Sequence, residues 1–153
     1  MNEIEIDIHS LVPHSGVMSL LGRFLAADDE TLSAEVRIAP DSMFCQDGAV
    51  GAWVGVEYMA QAVAAHAGWC ARQRGEPVRV GFLLGSRKYA CSVAAFAVGS
   101  VLRIEVRRAL QGENGLGAFD CRIEDERGLE LATATITVFQ PPNVEEFLQR
   151  SSE

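Results

Sequence analysis

The chain has 153 residues, the size of one domain and long enough to bury a core. Apolar residues make up 48% and charged residues 22%, which excludes a disordered or fibrous chain. With 13 basic against 21 acidic residues the net charge is −8, the wrong sign for neutralising the phosphates of a nucleic acid.

The first seven residues are acidic and lack the basic start and apolar core of a signal peptide. Cys45, Cys70, Cys91 and Cys121 form no C-x-x-C pair. That usage points to free, mostly buried thiols in a reducing cytoplasm rather than to disulfides or a zinc site. Pro13 and Gly16 shape an irregular opening, and an apolar stretch runs from Met18 to Leu25. Thr31 to Ile38 alternates apolar and polar residues as a half-buried strand does, and Pro40 closes it. A loop from Asp41 to Gly48 leads into an Ala-rich helix predicted from about Val50 to Arg74, stopped by Gly75 and Pro77.

From Ala49 to Ala71 the single formal charge is Glu57. Ala and Gly dominate the run, and an acid inside a membrane span costs roughly 2.5–3.5 kcal/mol even on lenient scales. The segment therefore reads as a helix buried in a soluble protein. Five strands are predicted beyond it, over Val78–Leu84, Arg87–Ala97, Ser100–Leu110, Gly117–Glu124 and Leu129–Phe139. Gly99, Gln111–Gly115 and Glu126–Gly128 supply the turns. Pro141 and Pro142 end the last strand, and a short amphipathic helix follows over about 143–150. No repeat or linker divides residues 1–153, which read as one domain of the α+β class. A curved antiparallel sheet wrapped around the helix would cover it, and the edge of that sheet would invite a second copy, predicting a homodimer.

Glu57 is the outstanding residue. Its neighbours Val54, Val56, Tyr58, Met59 and Ala60 solvate a carboxylate poorly. Desolvation favours the protonated form that a general acid needs, although the same carboxylate could reach solvent or pair with an arginine. Gln61, four residues on, shares its face and either holds the carboxyl or a water, or is a helix-surface amide. His66 lies half a turn away on the opposite face and reads as a packing or surface residue, and His9 as an exposed one. His14, between Pro13 and Gly16, sits on a shaped loop where a general base would be placed. Gly48, Ala49, Val50 and Gly51 open the predicted helix and either offer free N–H groups to an oxyanion or make a tight turn. Cys45 reads as a pocket or core thiol. Arg72, Arg74, Arg79, Arg87 and Lys88 are the densest basic region, either a solvated face or an anion-binding cluster.

Glu57-Tyr58-Met59-Ala60-Gln61, after its Gly-rich opening, resembles the E-A-M-A-Q helix of the 3-hydroxyacyl-acyl-carrier-protein dehydratases. Val12 to Arg23 resembles their N-terminal L-P-H-R-x-P-x-L-L-x-D-R segment. Phe82 to Val101 resembles their G-I-D-x-A-R-F-K-R-P-V-x-P-G-D-x-L strand pair, with Arg87-Lys88-Tyr89 and Gly99 in matching places. The likeness covers about residues 11 to 139 and is closest to the divergent branch found with aryl-polyene pigment synthesis. It implies a hotdog fold, dimers with active sites at the dimer interface, and no metal or redox cofactor.

One departure stands out. The family places a histidine in a G-H-F-P-G motif fourteen residues before its glutamate, whereas Ser42 to Gly51 contains none. Either His14 has taken that role or the chain does not dehydrate by itself. In the first case the resemblance implies elimination of water from a 3-hydroxyacyl thioester on acyl carrier protein. His14 would be the base, Glu57 the acid and Gln61 its orienter, with Gly48 to Gly51 holding the thioester oxygen. Phe44, Trp53 and Phe82 would line the acyl path, and Arg72, Arg74, Arg87 and Lys88 would dock the carrier and its phosphopantetheine. The rivals are a hotdog acyl thioesterase and a catalytically silent subunit that binds acyl chains or pairs with an active dehydratase in a heterodimer.

Overall fold

The computed structural model describes residues 7–8, 20–76, 82–112 and 114–139. Apolar–polar alternation turns one side of each long strand inward. In β2 (Thr31–Arg37) the inward residues are Leu32, Ala34 and Val36. In β7 (Val101–Gln111) they are Leu102, Ile104 and Val106, and in β8 (Leu116–Glu124) Phe119, Cys121 and Ile123. In β9 (Glu130–Phe139) Ala132, Ala134 and Ile136 take the same place. With β1 (Arg23–Ala27) and β5 (Phe82–Cys91), these strands form a six-stranded sheet in the order β1-β2-β7-β8-β9-β5, every pairing antiparallel.

Helix α1 (Gly55–Gln73) lies on the apolar face and buries Tyr58, Met59, Ala62, Val63, Ala65 and His66. The small side chains of Ala62 and Ala65 let helix and sheet approach closely. Each large aliphatic side chain buried at this layer, such as Ile104 or Ile136, contributes about 1.5–3 kcal/mol. A second sheet of three short strands, β3 (Cys45–Gln46), β4 (Ala49–Gly51) and β6 (Ala95–Ala97), stands before the helix in the order β3-β4-β6. A 3-10 turn, Ala52–Val54, joins β4 to α1. The α+β class and the single long helix on an antiparallel sheet are as the sequence predicts.

Several boundaries differ from those predicted, and β1 and β3 form where no strand was read. The helix begins at Gly55 rather than near Val50, because β4 is held between β3 and β6 and its backbone is committed to strand pairing. Gly48 to Gly51 therefore do not open the helix. The predicted strands over Val78–Leu84 and Arg87–Ala97 are not separated between positions 84 and 87, where β5 runs unbroken. The irregularity around Gly85 is absorbed as a shift in pairing with β9. Ala95–Ala97, read as the end of that second strand, belongs to the small sheet instead. Residues 78–81 and the predicted helix at 143–150 lie outside the described residues.

The sheet covers one side of α1. On the other side Trp53 and Glu57 are exposed, and Val56, Ala60, Gln61, Ala64 and Ala67 are half-buried. Within the described residues the sheet does not wrap the helix on every side.

Candidate active site

Trp53, Glu57 and Gln61 are spaced four apart and share one face, at and just beyond the start of α1. Glu57 falls in the first turn and is exposed, so the desolvating surroundings expected from its sequence neighbours are not supplied by the described chain. Tyr58 and Met59 turn into the core while the carboxylate points away from it. Beside it stands an aromatic pair: Trp53 is 63% and Phe44 44% exposed, and their rings meet edge to face with centroids 5.2 Å apart. The Trp53 indole nitrogen sits so close over Gly51 that a Cβ there would lie 2.6 Å from it, so this ring position requires glycine. Phe44 adopts a left-handed backbone, φ 69°, which presents it toward the indole.

Gln61 has a partner that its sequence position does not announce. Its Oε1 accepts the backbone N–H of Leu20 at 2.7 Å, across 41 positions, and so ties the chain at Leu20 to the Glu57 face of α1. The acceptor oxygen is thus turned to the backbone at Leu20. His14 and His9 lie outside the described residues, as does the side chain of Phe82.

Tyr89, which the sequence offered only within the Arg87-Lys88-Tyr89 match and without a role of its own, is brought to this junction by the fold. It donates its hydroxyl to the Ala52 carbonyl at the junction between β4 and α1, and the N–H of Gly55 reaches the same oxygen. Burial pushes the Tyr89 hydroxyl well above its ordinary value and that of Tyr58 up to about 12, so both stay protonated as donors. The signal available in the sequence was weak, a lone tyrosine after Arg87-Lys88 on a strand.

Gly51 is where β4 leaves β3: Cys45 pairs with Val50, and β3 stops there, while Gly51 remains opposite Ala95 of β6. The basic residues are not one cluster. Lys88 adjoins Tyr89, which is tied to Ala52 at the start of α1, whereas Arg72 and Arg74 lie at its far end, ~28 Å along a 19-residue helix. Arg74 there pairs with Glu76 at 3.3 Å, and Arg79 lies outside the described residues. Among the described residues, two shallow hollows of about 300 and 330 Å³ lie against β5 and β9 and on the outer face of the sheet. Neither takes in the Phe44–Trp53 pair.

His66 stands apart from this site, as its helical phase requires. It is fully buried, with Nε2 3.0 Å from the Asp28 carbonyl oxygen and its ring edge-on to Phe119. The four cysteines are free thiols, Cys70 and Cys121 buried, Cys45 and Cys91 half-buried.

The family model described as ApeP-like, the ApeP dehydratase, matches residues 6–149. The chain belongs to this dehydratase family. A chain in the structure of the dehydratase heterocomplex ApeI:P from Xenorhabdus doucetiae is 31% identical, with a TM-score of 0.86 over 99% of this chain and 100% of that one. Two thioesterase structures share the fold at lower identity. A hypothetical thioesterase with coenzyme A from Streptococcus pneumoniae is 17% identical, TM-score 0.60, over 77% of this chain and 84% of that one. A mutant of thioesterase PA1618 from Pseudomonas aeruginosa is 18% identical, TM-score 0.62, over 79% and 81%. A search of curated proteins found no matching sequence. The resemblance read from the Glu57–Gln61 helix and its flanking segments is thereby borne out, and the helix on its antiparallel sheet is the hotdog arrangement. No described helix is long and apolar enough to cross a membrane.

Proposed function

We propose that this member of the ApeP-like dehydratases removes water from 3-hydroxyacyl thioesters carried on acyl carrier protein, giving trans-2-enoyl thioesters for aryl-polyene or fatty-acid synthesis. The observation that carries this reading is Glu57, a carboxyl placed with the exposed Phe44–Trp53 pair on a face of α1 that Gln61 ties to Leu20. A second hotdog chain seated there would desolvate the carboxyl and close the acyl path, with Phe82 of β5 as a further wall. The likeness to a chain of a dehydratase heterocomplex supports such a partner, either a copy of this chain or a different hotdog dehydratase.

In the proposed elimination His14 takes the proton from C2. The electron pair forms the C2–C3 double bond, and the C3–O bond breaks as protonated Glu57 donates to the departing hydroxyl, which leaves as water. The developing enolate charge falls on the thioester oxygen, for which we assign the Gly48–Gly51 segment and above all the Gly51 end of β4. The reaction is completed by proton transfers alone. Arg87 and Lys88 lie at the Glu57 end of α1 and are assigned to the phosphate of the carrier arm; Arg72 and Arg74 would meet the carrier only at the opposite end.

The test is turnover of a 3-hydroxyacyl carrier-protein substrate, read as loss of one water by mass spectrometry, by the chain alone and with a second hotdog dehydratase. Wild type dehydrates, and Glu57→Gln and His14→Ala each lose roughly 10²-fold or more while staying folded. Release of free acid instead would favour a thioesterase. The loop from Ser42 to Gly51, which carries no histidine, favours one other reading, a silent subunit. Turnover only in the mixture, indifferent to both substitutions, would establish it.

A further inference from the structure

We propose that Tyr89 is a positioning residue for Glu57: it sets the junction at which β4 becomes α1, and through it the placement of the first helical turn. This rests on the reading of Glu57 as the acid, and it follows from four features that converge on one carbonyl. The Ala52 oxygen receives two donors, the Tyr89 hydroxyl from the sheet and the Gly55 N–H from the turn itself. Gly55 has no side chain where a Cβ would collide with the Tyr89 hydroxyl and crowd Ile123. The strand that carries Tyr89 is bulged at this place: Arg87 pairs with Thr135 and Ala90 with Thr133, leaving Lys88 and Tyr89 opposite a single residue of β9. Lys88 takes a left-handed backbone, φ 58°, within that bulge.

A bulge re-aims a side chain that strict alternation would place elsewhere, and a left-handed lysine is an uphill conformation that tertiary contacts must maintain. Here the re-aimed group is the tyrosine that reaches Ala52. The junction it holds carries Trp53 in the 3-10 turn and Glu57 one turn into α1. No side-chain cap fixes the start of α1, and the Tyr89 hydroxyl, which donates to the Ala52 carbonyl rather than accepting a helix N–H, restrains this junction from the sheet. A slack junction would leave Glu57 and the Trp53 ring free to shift, and small displacements of an acid cost rate more than binding.

The experiment uses Tyr89→Phe in the assembly that turns over, with Trp69→Phe as background so that Trp53 is the remaining tryptophan of this chain, any partner chain being made tryptophan-free. Expected are a fall in kcat of about fivefold or more with KM within twofold, and a lower fluorescence anisotropy of Trp53. A lowered Tm with kcat and anisotropy unchanged would make Tyr89 a packing residue and overturn the proposal. A fall in kcat without any change at Trp53 would overturn it too, placing Tyr89 on the substrate instead. Should the wild type prove inert in every assembly, the proposed reaction falls while the Trp53 anisotropy still decides whether Tyr89 holds the junction. If Tyr89→Phe does not fold, Gly55→Ala, which pushes the hydroxyl off Ala52, must give the same two changes, and their absence overturns the inference.

Discussion

His66 lies in the middle of α1 and donates from Nε2 to the carbonyl of Asp28, 3.0 Å away in the turn between β1 and β2. That turn is itself rigid. The Asp28 carboxylate accepts the N–H groups of Glu30 and Thr31 and the Thr31 hydroxyl, which hold it below the usual carboxylate range. The other ring nitrogen, Nδ1, has no hydrogen-bond partner among the described residues. A neutral imidazole with one donor fits this site and an imidazolium does not.

The consequence is an acid-sensitive fold. Burial lowers the affinity of His66 for a proton below its ordinary 6.5; the hydrogen bond to the Asp28 backbone opposes this without cancelling it, and Arg108 adds a smaller repulsion. The unfolded chain then binds the proton more readily, so stability is full above about pH 6.5 and declines as pH falls below it, by up to about 1.4 kcal/mol per unit. Urea melts between pH 8 and 5 should show this slope, and His66→Gln should flatten it. An unchanged slope in the variant would assign the acid sensitivity to other groups.

Gly55 and Tyr89 are expected to be energetically coupled. Gly55→Ala should destabilise by roughly 1–3 kcal/mol through overpacking against the tyrosine hydroxyl, and Tyr89→Phe by roughly 0.5–1.5 kcal/mol through the lost hydrogen bond. In the double variant the missing hydroxyl makes room for the new methyl. The losses should then fall short of additive by about 1 kcal/mol in denaturant midpoints, whereas strict additivity would mean that the two residues do not compete for space.

Gln61→Leu should release the Leu20 amide, which the glutamine oxygen now holds at 2.7 Å. Hydrogen exchange at that amide is expected to speed up about tenfold or more, equivalent to ~1.4 kcal/mol. Gln61→Glu keeps an acceptor oxygen and should keep most of the protection. Equal exchange in wild type and Gln61→Leu would show that other groups fix this segment.

Trp53→Ala should leave the isolated chain folded, because an indole 63% exposed contributes little to its core. In the assembly the same substitution should weaken association by about 2 kcal/mol, roughly thirtyfold in Kd by sedimentation, as loss of a central aromatic anchor does. Unchanged association with impaired acyl binding would place the Phe44–Trp53 pair on the substrate path rather than at the seam.

Much of this molecule was legible locally. The alternation over Thr31–Ile38 marked the inward face of β2, and Glu57 stood out as the one charge in the first helical turns. The four-residue spacing of Glu57 and Gln61 by itself puts them on one face. Tertiary structure decided the rest. Strand pairing held Ala49–Gly51 in β4 and moved the start of α1 to Gly55, and a bulge kept β5 continuous while turning Tyr89 toward Ala52. It also sent Arg72 and Lys88 to opposite ends of the helix, and matched His66 with a carbonyl 38 residues away. The division is physical: side-chain periodicity reports which face an element buries, because that depends on backbone geometry a few residues long. Which partner fills that face, and where one element yields to another, depends on contacts between distant parts of the chain, which no local pattern records.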